Sequence, residues 1–182
     1  DQLIAYSAIL IAEDSGEVIF EKDADTLRYP ASTTKIMTVL LGLMMVDDLN
    51  QTVTVSQRAV DVPADSSTMG LEAGEEINFT DLLYGTMLVS ANDGANVIAE
   101  TVSGSIENFV DLMNQTAEIF GCTSTHFANA HGYHDDNHYT TARDMAIIAR
   151  EAMQNELFRT IVSTTNYTIA KTNKHRARSL TT

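Results

Sequence analysis

The chain has 182 residues, 44% of them apolar and 20% charged, a globular composition long enough for one domain or two small ones sharing a core. Its basic and acidic residues leave a net charge of −14, which argues against nucleic-acid binding and against an electrostatic anchor on anionic lipid. The longest near-apolar run, Ile36–Val46, is too short to span a bilayer, and a lone cysteine, Cys122, excludes an internal disulfide framework. No signal peptide is visible from Asp1, so composition leaves a cytosolic chain and a mature exported form both open.

Ser7–Ile11 and Glu17–Glu21 are short β-rich runs joined by the turn cluster Glu13-Asp14-Ser15-Gly16, the pattern of a hairpin. Ile36, Met37, Val39, Leu40, Leu43 and Met44 recur at helical spacing and predict a buried helix over 32–46. Thr80 is placed to cap a helix carrying Leu82, Leu83, Met87 and Leu88, and helical pattern resumes over 91–102 after a break near Ser90. The run 105–120 puts Phe109, Leu112, Met113 and Phe120 on one face and stops at Gly121. Thr141-Ala-Arg-Asp144 resembles a capping box opening a helix through Met153, and Tyr167–Ala170 reads as one more strand. The class is mixed α/β, with helices following an initial hairpin that needs partner strands to be stable.

Ser32-Thr33-Thr34-Lys35 places a serine and a lysine three apart, on one face of a first helical turn. A serine needs a base within reach to act as nucleophile, and burial at the start of an apolar helix would depress a lysine's pKa enough to serve. The plainer reading is an N-cap serine with an exposed lysine. Ser90-Ala91-Asn92 sets a hydroxyl and a carboxamide two apart at the break between helices, able to relay a proton and grip a peptide carbonyl, or simply to cap and turn.

Taken together and in this order, these segments resemble the S-x-x-K and S-x-N motifs of the serine DD-peptidases, closest to the low-molecular-mass D-alanyl-D-alanine carboxypeptidases of the penicillin-binding-protein group. Tyr29–Thr38 is similar to that family's nucleophile region and Leu88–Asn96 to its second motif, while Thr125–Gly132 and His138–Ala146 are similar to further family segments. The resemblance runs from about Ser7 to Ala170. It implies that Ser32 attacks the D-alanyl-D-alanine carbonyl, that Lys35 takes its proton, that Ser90 passes a proton to the leaving D-alanine, and that Asn92 holds the substrate. It implies one oxyanion-hole arm from the Ser32 amide, acylation of the same serine by β-lactams, no metal or other cofactor, and an exported protein of the cell envelope.

The implied fold is an antiparallel sheet packed against helices, with an all-helical subdomain over about 53–139 inserted in a single, partial catalytic domain, 1–182. The family's third motif, K-T-G, has no counterpart. Lys171-Thr172-Asn173 lacks the glycine, and Arg176–Leu180 resembles the segment upstream of the true motif. The chain is therefore expected to stop short of that motif and of the strands that complete the sheet, with membrane attachment only through a later segment. Exposed sheet edges would then be open to a second copy.

Other readings compete. His126, His131, His134 and His138 with Asp135 and Asp136 resemble a metal nest without a known zinc spacing. Glu151 and Asn155 imitate the spacing that class A β-lactamases use for deacylation, which keeps a serine β-lactamase as an alternative, although a solvated helix residue is the simpler reading of Glu151. Cys122 has no neighbouring base and reads as an inert thiol. A catalytically incomplete fragment that binds peptidoglycan or a partner is the non-enzymatic alternative.

Overall fold

The computed structural model describes residues 3–182. Its elements run β1 (Ala8–Ile11), β2 (Val18–Lys22), α1 (Thr34–Met45), β3 (Thr52–Thr54), α2 (Gln57–Val60), β4 (Glu76–Asn78), α3 (Phe79–Leu88), α4 (Asn92–Ser103), α5 (Ile106–Ile119), α6 (Ala142–Met153), α7 (Glu156–Val162), β5 (Asn166–Ile169) and β6 (Arg178–Thr181). A short 3-10 turn, Ala31–Thr33, leads directly into α1.

α1 is the axis of the molecule. Its residues are buried on almost every side because the apolar positions run around most of the helix. Val39, Leu40 and Leu43 enter one core cluster with Phe79, Leu82, Leu83 and Ile98. Met37 and Leu41 enter a second with Phe109, Met113, Phe127 and Ile148. Gly42 is the contact point: a Cβ there would stand 3.1 Å from Leu83 and 3.2 Å from Ile98, so its absence lets α3 and α4 close on α1.

The expected hairpin is present, β1 pairing antiparallel with β2 and shifting register between Leu10 and Ile11. It lies on α6, and the side chains of Ile9 and Ile11 line a groove of about 470 Å³ with Ile36, Met145, Ala149 and Met153. Leu10, Ile19 and Phe20 of the hairpin are exposed. Arg150 on α6 fastens the hairpin turn by donating to the Glu13 and Asp14 carbonyls, both at 2.8 Å.

Two further ribbons, β3–β4 and β5–β6, are each separate antiparallel pairs. The stretch expected to be all-helical thus carries a ribbon beside its helices. Three residues per strand give too short an alternation to read as a strand, and the pair forms through contacts between distant segments. Arg178 is buried with Glu75, donating to Oε1 at 2.7 Å and Oε2 at 3.0 Å, and to the Gly70 carbonyl at 2.9 Å. Burial pushes the Glu75 carboxyl up, but hydrogen bonds from Arg178, Thr172 and the Glu72 amide outweigh it and hold it below the usual carboxylate range.

Helix ends follow local chemistry. Asn78, not Thr80, caps α3, its Oδ1 accepting from the Thr80 amide at 2.9 Å, while the Thr80 hydroxyl donates to the Leu49 carbonyl. Thr141 caps α6 as expected, accepting from the Asp144 amide at 3.1 Å. Asp144 does not complete a reciprocal box: its carboxylate accepts from the Ser124 amide and the Thr125 hydroxyl. Among the described residues no helix is long and apolar enough to cross a membrane.

Candidate active site

The four residues singled out in the sequence come together where the start of α1 meets the α3–α4 junction. Ser32 sits in the 3-10 turn, exposed, with no capping hydrogen bond from its side chain. The preceding Ala31 has φ +49°, and Ser90 has φ +54°. Left-handed backbone costs a non-glycine residue free energy, and here it occurs on both sides of one hydroxyl pair. The Ser90 hydroxyl donates to Ser32 Oγ at 2.7 Å.

Lys35 lies beneath them on the first turn of α1, 2% exposed. Its ammonium donates to the His131 carbonyl at 2.7 Å and reaches Ser32 Oγ at 3.5 Å. Burial lowers its pKa from 10.5 to about 8, against the partial opposition of the Asp93 carboxylate. Both halves of the plainer reading fail here: Ser32 does not cap, and Lys35 is not exposed.

Asn92 opens α4, 5% exposed, its amide donating to the Ser67 carbonyl at 2.8 Å. The next residue, Asp93, is 2% exposed and was not marked by the sequence reading. Its carboxylate accepts from the amides of Met69 at 3.1 Å, Leu71 at 2.9 Å and Gly94 at 2.9 Å. An acidic residue in the first turn of a helix is the available signal. What it does here is pin the 67–71 loop beside the site.

The wall opposite comes from the histidine-rich loop. Asn129 Oδ1 accepts from the His131 and Gly132 amides, and its Nδ2 donates to the Tyr133 carbonyl at 2.9 Å. Gly132 has φ +94°, and a Cβ on it would fall 1.7 Å from the Ala31 carbonyl oxygen. Only glycine lets this turn press on the residue before Ser32. His138 accepts from the Ala128 amide at Nδ1, so its Nε2 carries the proton and donates to Thr34 Oγ1 at 2.7 Å. Burial pushes both His131 and His138 down to about 4, the nearby Lys35 assisting at His131. The histidines that resembled a metal nest are therefore divided: His131 and His138 build the floor, His134 meets Asp136 and packs edge-on against Tyr29, and His126 bonds the Asn137 carbonyl.

Lys171-Thr172-Asn173 is not brought into this group. Thr172 donates to Glu75, and Asn173 bonds the Gly74 carbonyl and the Glu76 amide. Asn155 caps α7, accepting from the Phe158 amide at 3.0 Å, and Glu151 is exposed on α6. Cys122 is buried against the Asp144 carbonyl, and burial pushes its thiol up to about 12, which leaves no thiolate at neutral pH.

This fold and these motifs have known counterparts. The sequence is 38% identical over 156 residues to D-alanyl-D-alanine carboxypeptidase DacF of Bacillus subtilis, covering 84% of this chain and 40% of that protein. It is 37% identical over 167 residues to the D-alanyl-D-alanine carboxypeptidase of Streptomyces strain K15, covering 87% of this chain and 57% of that one. A solved serine-to-alanine variant of the Streptomyces K15 DD-transpeptidase superposes with a TM-score of 0.92 at 31% identity, covering all of this chain and 75% of that structure. The chain thus spans about 40% of the length of its Bacillus relative. Residues 1–181 match the Peptidase_S11 family, D-alanyl-D-alanine carboxypeptidase, and the chain belongs to that family.

Proposed function

We infer that this chain carries the nucleophile half of a serine-type D-alanyl-D-alanine carboxypeptidase, acting on peptidoglycan stem peptides outside the cytoplasmic membrane. The observation that carries the reading is the Ser32 hydroxyl held between the Ser90 hydroxyl and a buried lysine. In this account neutral Lys35 accepts the proton as Ser32 Oγ attacks the carbonyl of the terminal amide. The His131 carbonyl takes one N–H of the Lys35 amine and holds the nitrogen 3.5 Å from Ser32 Oγ. Ser90 then gives its hydroxyl proton to the amide nitrogen and takes back the one Lys35 accepted, the C–N bond breaks, and D-alanine leaves an acyl-enzyme on Ser32 that water hydrolyses. Asn92 holds the substrate backbone, and the Ser32 amide supplies one donor to the developing oxyanion. A β-lactam, whose strained amide imitates the scissile bond, acylates the same oxygen.

The depressed lysine pKa supports this assignment. With a pKa of about 8, roughly a tenth of the side chain is neutral at pH 7, against well under a thousandth for an ordinary lysine. We read 53–139 as a subdomain that contributes Ser90 and Asn92 to one wall of the cleft and the histidine-rich loop to the other, with Ser32 and the start of α1 between them. The Asn155 cap removes the feature that favoured a β-lactamase.

The test is release of D-alanine from a short peptide ending in D-Ala-D-Ala by the protein as encoded, compared with Ser32→Ala and Lys35→Met. Loss of release in both variants with retained folding upholds the reading. Unchanged release by Ser32→Ala overturns it.

A further inference from the structure

Tyr133 and Asp65 join the two walls of the cleft at its mouth. The phenol donates to Asp65 Oδ1 at 2.9 Å and lies 3.3 Å from Oδ2. Each partner sits on a turn that is fixed from below. Ser66 folds back on Pro63, its amide and hydroxyl both bonding the Pro63 carbonyl, and Ser67 then receives the Asn92 amide. On the other side Asn129 cages the turn that carries His131, Gly132 and Tyr133, and the His131 carbonyl receives Lys35. The two segments that position Asn92 and Lys35 therefore meet again above them, through one side-chain hydrogen bond.

We propose that the Asp65–Tyr133 hydrogen bond is a latch that fixes the spacing of the two cleft walls, making Asp65 and Tyr133 positioning residues for acylation of Ser32. The inference rests on the acyl-transfer reading of the site. A hydrogen bond to a carboxylate is among the stronger side-chain contacts. This one closes a ring that runs from Lys35 through the His131 turn to Tyr133, across to Asp65, down to Ser67 and Asn92. Without it each turn keeps its own internal bonds, so the fold survives, but the walls lose their mutual register. Near-attack geometry is sensitive to displacements well under an ångström, so the loss falls on the chemical step.

The test is the saturation kinetics of penicillin acylation in the protein as encoded, with Tyr133→Phe, Asp65→Ala, Asp65→Asn and the double variant Asp65→Ala/Tyr133→Phe. The latch predicts that Tyr133→Phe and Asp65→Ala each lower the maximal acylation rate about fivefold, with the half-saturating concentration unchanged. The double variant is no slower than either single one, and Asp65→Asn, which keeps an accepting oxygen, stays within about twofold of the parent. Parent-like maximal rates in Tyr133→Phe and Asp65→Ala, or losses that multiply in the double variant, overturn the latch while leaving Ser32 as nucleophile. A parent that acylates elsewhere than Ser32 overturns the functional reading itself.

Discussion

Ser90 Oγ donates a 2.7 Å hydrogen bond to Ser32 Oγ across 58 positions of sequence. The two hydroxyls come from separate elements, and each stands beside or upon a left-handed residue, Ala31 or Ser90 itself. The Gly132 turn presses on Ala31, while Ser90 stands at the junction of α3 and α4.

Acylation should depend on pH through Lys35. Only the neutral amine accepts a proton, and its pKa is about 8. The rate of penicillin acylation should rise about tenfold per pH unit from pH 6 to pH 7.5 and level off above pH 8. A stopped-flow profile measures this. A rate flat over that range would mean that the lysine is not the base.

Lys35 should also lower the stability of the fold. A pKa lowered to about 8 means the folded protein releases a proton that the unfolded chain keeps, so stability rises as pH increases from about 8 to about 10.5 and is lowest below that window. Lys35→Met removes the buried charge but strands the His131 carbonyl. The expected net gain at pH 7 is about 1–2 kcal/mol, alongside complete loss of acylation. Urea titration of parent and variant measures the difference.

Gly132→Ala should be damaging out of proportion to one methyl group. The new carbon would overlap the Ala31 carbonyl, and φ +94° is itself costly for alanine. We expect a loss of about 2–3 kcal/mol and a sharp fall in acylation, because the turn that presents His131 to Lys35 must move. Calorimetry and the acylation assay together check this.

Much of this was legible in the sequence, and the failures have physical causes. α1, α4, α5 and α6 are legible because apolar residues recur at helical spacing, helped by the Gly121 stop after α5 and the Thr141 cap of α6. Ser32, Lys35, Ser90 and Asn92 were marked as a group by a family resemblance, since each pair taken alone is too short to stand out. The strands β3, β4 and β6 were missed because they are brief and exist through long-range pairing. The roles of Asp93 and Gly132 were missed for a related reason. Asp93 acts on amides more than twenty positions away, and Gly132 on a carbonyl from α1's approach.

Acid should destabilise the protein through the cleft floor. His131 and His138 have folded pKa values near 4 against an ordinary 6.5, so the unfolded chain binds more protons between those limits. Their contribution is fully present above about pH 6.5 and is lost as pH falls toward 4. The urea midpoint should drop over this range, and the slope should be shallower in His131→Asn. An unchanged midpoint between pH 6.5 and pH 5 would contradict the burial argument.

The Glu75–Arg178 pair ties β6 to the loop before β4, and breaking it should cost more than removing it. Glu75→Leu or Arg178→Met alone leaves a buried charge without its partner, a loss of about 3 kcal/mol or more. The double variant should recover a large part of that, as a thermodynamic cycle of four urea titrations would show.

The central claim is that Ser32 is the nucleophile of an acyl-transfer site, and intact-mass spectrometry tests it most directly. The protein as encoded, incubated with a penicillin, should gain the mass of one intact penicillin molecule, and peptide mapping should place it on Ser32. Ser32→Ala should gain nothing. An adduct that persists in Ser32→Ala, or none on a folded parent, would contradict the account.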